Sequence, residues 1–134
     1  MRVKVALLAD YSNVSREGKL NILGIFDTIY ARKFPTTHPH MQLVIRFEAD
    51  PEEAGATRQV EVQFLGPEGN GLFRLPAAMT VQRGEVGEAV RADHILSLTN
   101  VVLEHPGRYV FRIVVDGRVE ATVPLRVEGI PAQH

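Results

Sequence analysis

Cysteine and tryptophan are both absent from this chain. The missing cysteine removes disulfides, thiolate metal sites and a cysteine nucleophile. Lysine is scarce: Lys4, Lys19 and Lys33 are the only ones among fifteen basic residues. Acids and bases nearly balance, at a formal net charge of −1. No basic stripe or arginine-rich run is present, which argues against a nucleic-acid partner. No apolar run approaches the roughly 20 residues of a membrane-spanning helix, so no membrane partner is expected. The opening ten residues are only briefly apolar, and Lys4 and Asp10 bracket that stretch. They alternate, which reads as a first strand rather than a secretory signal and implies a cytoplasmic protein.

Helical periodicity is missing too, and what replaces it is alternation. The 134 residues suffice for one domain with its own core. Apolar side chains recur with period two over residues 2–11, 20–31, 41–49, 60–64, 72–75, 78–82 and 95–103, separated by polar or Gly/Pro-containing turns. Residues 32–40 contain Pro35 and Pro39 and are expected to be an extended crossover. Asp50-Pro51 starts a loop or one helical turn. This is the pattern of an all-β, immunoglobulin-like sandwich of about eight antiparallel strands.

The closing hairpin carries the strongest local signal. Tyr109, Phe111, Ile113 and Val115 are apolar at odd positions, as are Val119, Ala121, Val123, Leu125 and Val127. A two-residue loop at Asp116-Gly117 would set one strand's apolar row against the other's polar row, because a one-residue slip turns every side chain over. A three-residue loop, Val115-Asp116-Gly117, pairs Ile113 with Val119 and Phe111 with Ala121 and is therefore expected. Tyr109 follows the Pro106-Gly107 turn at the place where a tyrosine corner bonds the backbone upstream.

The stretch L-L-A-D-Y-S-N-V-S-R-E-G-K-L-N-I-L-G-I-F-D-T-I-Y, residues 7–30, resembles the opening of a family of small uncharacterised bacterial proteins. The end, P-G-R-Y-V-F-R-I-V-V-D-G and its following strand, is similar to that family as well. The resemblance implies a compact β-sandwich with no assigned catalytic or ligand residues. A shared fold does not assign a function.

Two polar constellations stand out. His38-Pro39-His40 would send both imidazoles to one side of an extended segment, and imidazoles suit zinc, copper or nickel. A site needs roughly three or four convergent ligands, whereas the next acid is Glu48 and His94, His105 and His134 are scattered, so no metal is expected. Asp10, Asn13, Asn21 and Asp27 are the second group. Paired carboxylates can serve as acid and base or hold a hard cation, but an acid in an apolar strand more often fixes register or faces solvent. Ser12 and Ser15 lack a nucleophile-elbow setting, and Gly66 to Gly71 lacks the Lys-Ser/Thr of a phosphate loop.

The segment 20–31 is apolar on both faces. Leu20, Ile22, Phe26 and Tyr30 share one side, and Leu23, Ile25 and Ile29 share the other with Asn21 and Asp27. A sheet wetted on one side should alternate cleanly. The second row, Leu23, Ile25 and Ile29, is therefore expected either under a loop or in a homo-oligomer interface. The sequence points to a non-enzymatic binding or assembly module that self-associates, with no cofactor. The alternatives are a metal-binding protein or metal-dependent enzyme using His38 and His40, and an adaptor that takes an unidentified protein partner at a sheet edge.

Overall fold

Alternating segments become strands, and the breaks between them decide which sheet each strand joins. The computed structural model describes residues 1–131. Among them are nine strands: β1 (Arg2–Val14), β2 (Leu20–Phe26), β3 (Thr28–Ala31), β4 (Thr36–Ala49), β5 (Thr57–Leu65), β6 (Gly71–Thr80), β7 (Val90–Leu103), β8 (Gly107–Val115) and β9 (Arg118–Gly129). They form two sheets, ordered β2-β1-β4-β7 and β3-β9-β8-β5-β6. A single 3-10 turn, Pro51–Glu53, follows Asp50 as the Asp-Pro signal suggested. Among the described residues no helix is long and apolar enough to cross a membrane. The all-β sandwich expected from the pattern is the fold observed.

Several boundaries differ from the expectation. The segment 20–31 is not one strand. It breaks at Asp27, so that β2 stays in the first sheet while β3 crosses to the second and pairs parallel with β9. The sandwich is therefore not wholly antiparallel. Asp27 makes the crossing without a buried charge: it is exposed, its carboxylate accepts from the Thr28 hydroxyl at 2.8 Å, and its carbonyl accepts from the Arg126 N–H at 2.8 Å. Residues 36–40 are the start of β4 rather than part of a crossover. The two short strands read at 72–75 and 78–82 are one edge strand, β6, with Pro76 inside it. An edge tolerates proline because one side of the strand needs no N–H donor.

The closing hairpin turns in two residues, not three. Asp116 (φ 48°) and Gly117 (φ 80°) both take positive φ, and Val115 pairs with Arg118 and Val114 with Val119. The conflict of rows is removed one step later. The register shifts so that Ile113 meets Ala121 and Phe111 meets Val123, leaving Glu120 as an extra residue. A primed two-residue turn matches strand twist, and a bulge restores the apolar parity. Asp116 also ties the turn to β5, its carboxylate accepting from the Gln59 N–H at 2.9 Å.

The core lies between the sheets. Odd residues Met41, Leu43, Ile45 and Phe47 of β4 face Phe64, Phe111, Ile113 and Leu125 of the second sheet. Phe64 sits at the centre of an aromatic group, 4.3 Å from Phe111, 5.0 Å from Phe73 and 5.5 Å from Tyr109 between ring centroids. Tyr109 forms the expected corner: its hydroxyl donates to the His105 carbonyl at 2.6 Å. Tyr109→Phe keeps the ring and removes that bond. It is expected to lower stability by about 1–2 kcal/mol, read as a shift in the urea midpoint at unchanged slope.

Candidate functional site

The first sheet does not stay flat. Pairing of β1 with β4 ends at Ala9↔Gln42, while pairing of β1 with β2 continues to Val14↔Leu20. A straight strand rises about 3.3 Å per residue. Ser12 would then lie about 10 Å past Gln42, and Val14 still further. Instead the Ser12 hydroxyl donates to Gln42 Oε1 at 2.6 Å. Val14 and Leu20 share one depression with Arg46, Arg91 and Asp93, although Arg46 stands opposite Val5. The β1–β2 hairpin therefore bends near Asp10 and folds back over the outer face of its own sheet.

Gly24 marks the bend. It takes φ +70°, and a Cβ there would stand 2.4 Å from Asp10 Oδ2. Only glycine adopts this conformation without steric cost. The hairpin covers what would otherwise be a wet face: Ala9 and Val44 are fully buried, and Gln42 is 7% exposed. Gln42 keeps its amide satisfied by accepting from Ser12 and donating to the Ser97 hydroxyl at 3.1 Å. A buried amide needs such partners.

Folding back places the apolar residues of the hairpin in two groups. Ile22 and Leu20 are partly buried, whereas Leu23 is 67%, Ile25 64% and Tyr11 51% exposed. Tyr11 pairs directly with Leu23, and Ile25 with Ala9. Among the described residues neither Leu23 nor Ile25 lies under residues 32–40 or any other loop. Ile29 departs from the expected row. It is 8% exposed and belongs to the core, because the crossing at Asp27 puts it in the second sheet opposite Val127.

The polar residues singled out in the sequence separate. Asn13 and Asn21 face each other across the hairpin, with Asn21 Nδ2 donating to Asn13 Oδ1 at 2.9 Å. Asp10 lies at the bend. Asp27 lies at the sheet crossing, beside Arg108 and Arg126. His38 is half-buried against the Phe26 ring, 6.0 Å between centroids, whereas His40 is exposed. The alternation that would send both histidines to one side is interrupted. Inward positions step from His38 to Met41 on β4 and from Leu98 to Val101 on β7, matched across the pairs His38↔Val101 and Met41↔Leu98, with Asn100 at φ 53° between them. Burial pushes the His38 imidazole down from its ordinary value, partly opposed by the charge of Asp10. Among the described residues its buried Nε2 has no hydrogen-bond partner. Among the described residues no three His, Asp or Glu side chains converge as a metal site would require. His134 lies outside them.

Two concavities went unforeseen. One is an apolar groove of about 490 Å³ along the open side of the sandwich, where β6 leaves Phe73 and Leu75 partly covered beside the buried Leu98 and Val101 of β7. The other is the cleft of about 740 Å³ under the hairpin tip, lined by Lys19, Arg46, Arg91, Glu17 and Asp93. These charges come from segments far apart in sequence. The one local signal was Gly24, an isolated glycine in an apolar strand, which marks a bend or close backbone approach.

Residues 4–128 match the model of a family described as a family of unknown function (DUF6941). No curated protein matches the chain. Among solved structures, an alkylpurine DNA glycosylase, AlkC of Pseudomonas fluorescens, bound to DNA containing an abasic site analogue, is similar in fold at a TM-score of 0.53 and 10% identity. The match covers 95% of this chain and 30% of the glycosylase chain. At that identity the likeness concerns the fold alone.

Proposed function

The chain belongs to this family of unknown function, which brings no assigned residue with it, and we propose from its surfaces that it is a non-enzymatic assembly module that self-associates through the outer side of the β1–β2 hairpin. The observation that carries this reading is the exposure of Tyr11, Leu23 and Ile25 on one hairpin, Tyr11 and Leu23 as direct cross-strand partners and Ile25 two residues on, covered by no other segment among the described residues. Scattered apolar residues are ordinary on a surface, whereas contiguous ones mark contact sites. An aromatic side chain flanked by aliphatic ones is also the composition found at the centre of interfaces. A two-fold arrangement would set the same patch against itself, as closed dimers do.

Sedimentation velocity across a concentration series tests the reading. The wild-type chain is expected to shift from monomer to dimer as concentration rises. Leu23→Asp is expected to weaken association by at least about tenfold, the effect of losing a central apolar contact and burying a charge. A wild-type chain that remains monomeric at millimolar concentration would refute the assembly function. So would a dimer that Leu23→Asp and Ile25→Asp leave unchanged.

A further inference from the structure

We propose that the cleft beneath the hairpin tip is a binding site for a small oxyanion, a phosphate or carboxylate group, held between Lys19 of the hairpin and Arg91 of β7. The site is concave, at about 740 Å³, and it exists only because the hairpin folds back. Its charges do not cancel. Arg46 donates Nε and Nη2 to the two carboxylate oxygens of Asp93, at 2.6 and 2.9 Å. That side-on pair uses the acid on the floor of the cleft. Among the described residues Lys19 and Arg91 form no ion pair. Among the described residues two further carboxylates stand near them: Glu17, exposed on the turn and lining the cleft, and Glu48, paired across β4 and β7 with Arg91 but already accepting from Arg2 Nη2 at 2.7 Å.

The backbone at Lys19 is held in place. The tip turn is closed by the Ser15 N–H to the Lys19 carbonyl at 2.8 Å, by the Gly18 N–H to the Ser15 carbonyl at 2.9 Å, and by the Lys19 N–H to the Ser15 hydroxyl at 3.0 Å. The Ser12–Gln42 bond anchors the same hairpin onto the sheet. One cation thus comes from a folded-over element and the other from the sheet under it. A tetrahedral or planar oxyanion bridging the two would gain charge-assisted bonds from both. It would also fasten the hairpin to β7, a strand with which the hairpin has no backbone pairing.

The test is an amide-resonance titration with inorganic phosphate and, separately, with succinate, at constant ionic strength set by chloride. Saturable shifts are expected at residues 17–20, 46 and 91–93, for phosphate alone if the site selects tetrahedral anions and for succinate alone if it selects carboxylates. Lys19→Gln and Arg91→Gln should each weaken binding about five- to tenfold. Arg108→Gln, which removes an exposed arginine paired across β8 and β9 with Arg126, should leave it unchanged. Leu23→Asp should also bind normally, which separates this site from the assembly surface. Both substituted cations are exposed surface side chains, and unshifted core resonances report that the variants fold. Absence of saturable shifts with either anion, or equal loss in Arg108→Gln, would overturn the proposal.

Discussion

Phe64→Ala is expected to destabilise the chain by about 3–5 kcal/mol, the range for deleting a fully buried phenyl ring from a packed core. Phe64 is fully buried and touches three aromatic partners at once, Phe73, Tyr109 and Phe111. The backbone at Phe64 is fixed from both sides by pairing with Phe73 on β6 and Phe111 on β8. The strands cannot close over the vacancy, so the cavity term adds in full to the lost transfer free energy. For a chain of this size the midpoint of thermal unfolding should fall on the order of 15 °C. Val86→Ser, at a fully exposed position, should move it by less than about 2 °C. Equal effects at the two sites would contradict the assignment of Phe64 to the centre of the core.

Glu53→Gln is expected to cost about 1–2 kcal/mol at neutral pH, less than the full shift because solvent screens a pair this near the surface, and almost nothing below about pH 2. The carboxylate sits at the base of the sandwich, 15% exposed. It accepts from the N-terminal ammonium of Met1, from the Asp50 N–H at 2.8 Å and from Arg58 Nη2 at 2.8 Å. The bond from the ammonium is the largest influence, and together these donors hold Glu53 down at about 2 against an ordinary 4.5, despite partial desolvation. The direction sets the pH dependence. A carboxyl depressed in the folded chain stabilises it fully above its unfolded value, and the contribution fades as pH falls from about 4.5 towards 2. The histidines act in a higher window. Burial lowers both His38 and His94, so the unfolded chain takes up protons first as pH drops below 6.5, and stability declines from there. Wild-type stability measured by urea from pH 8 to pH 2 should therefore fall in two stages. Glu53→Gln should remove the lower stage and leave the upper. A curve for Glu53→Gln that stays parallel to wild type through pH 2–5 would refute the assignment.

Parts of this structure were written locally, and parts were not. The sandwich is legible because inward residues alternate on β5 and β8, where the fully buried positions fall on one face, whereas β4 is buried on both faces from Met41 to Ile45. The Tyr109 corner is legible because the Pro-Gly turn and the tyrosine lie within four residues. The hairpin loop departs from the three-residue expectation because parity can be restored by a bulge downstream of the turn as well as inside it, and the sequence around Glu120 does not show which. The sheet crossing at Asp27 depends on β9, a hundred residues away, offering an edge to β3. That crossing is what moved Ile29 from the expected surface row into the core. The fold-back was equally hidden. It needs Gly24 to turn where Asp10 leaves no room for a side chain, and Gln42 to wait on the sheet for Ser12. The cations of the cleft then meet only as a consequence.

A chain built almost wholly of strands runs the hazard of stacking into fibrils through its rims. Each rim here carries an obstruction. Pro76 withholds a donor from β6, Asn100 interrupts the extended backbone of β7 at φ 53°, and β3 is only four residues long. The fourth rim, β2, is carried away by the bend at Gly24. Each interruption shortens the unbroken row of donors and acceptors that a stacked copy would need, so the rims are segmented rather than continuous ladders.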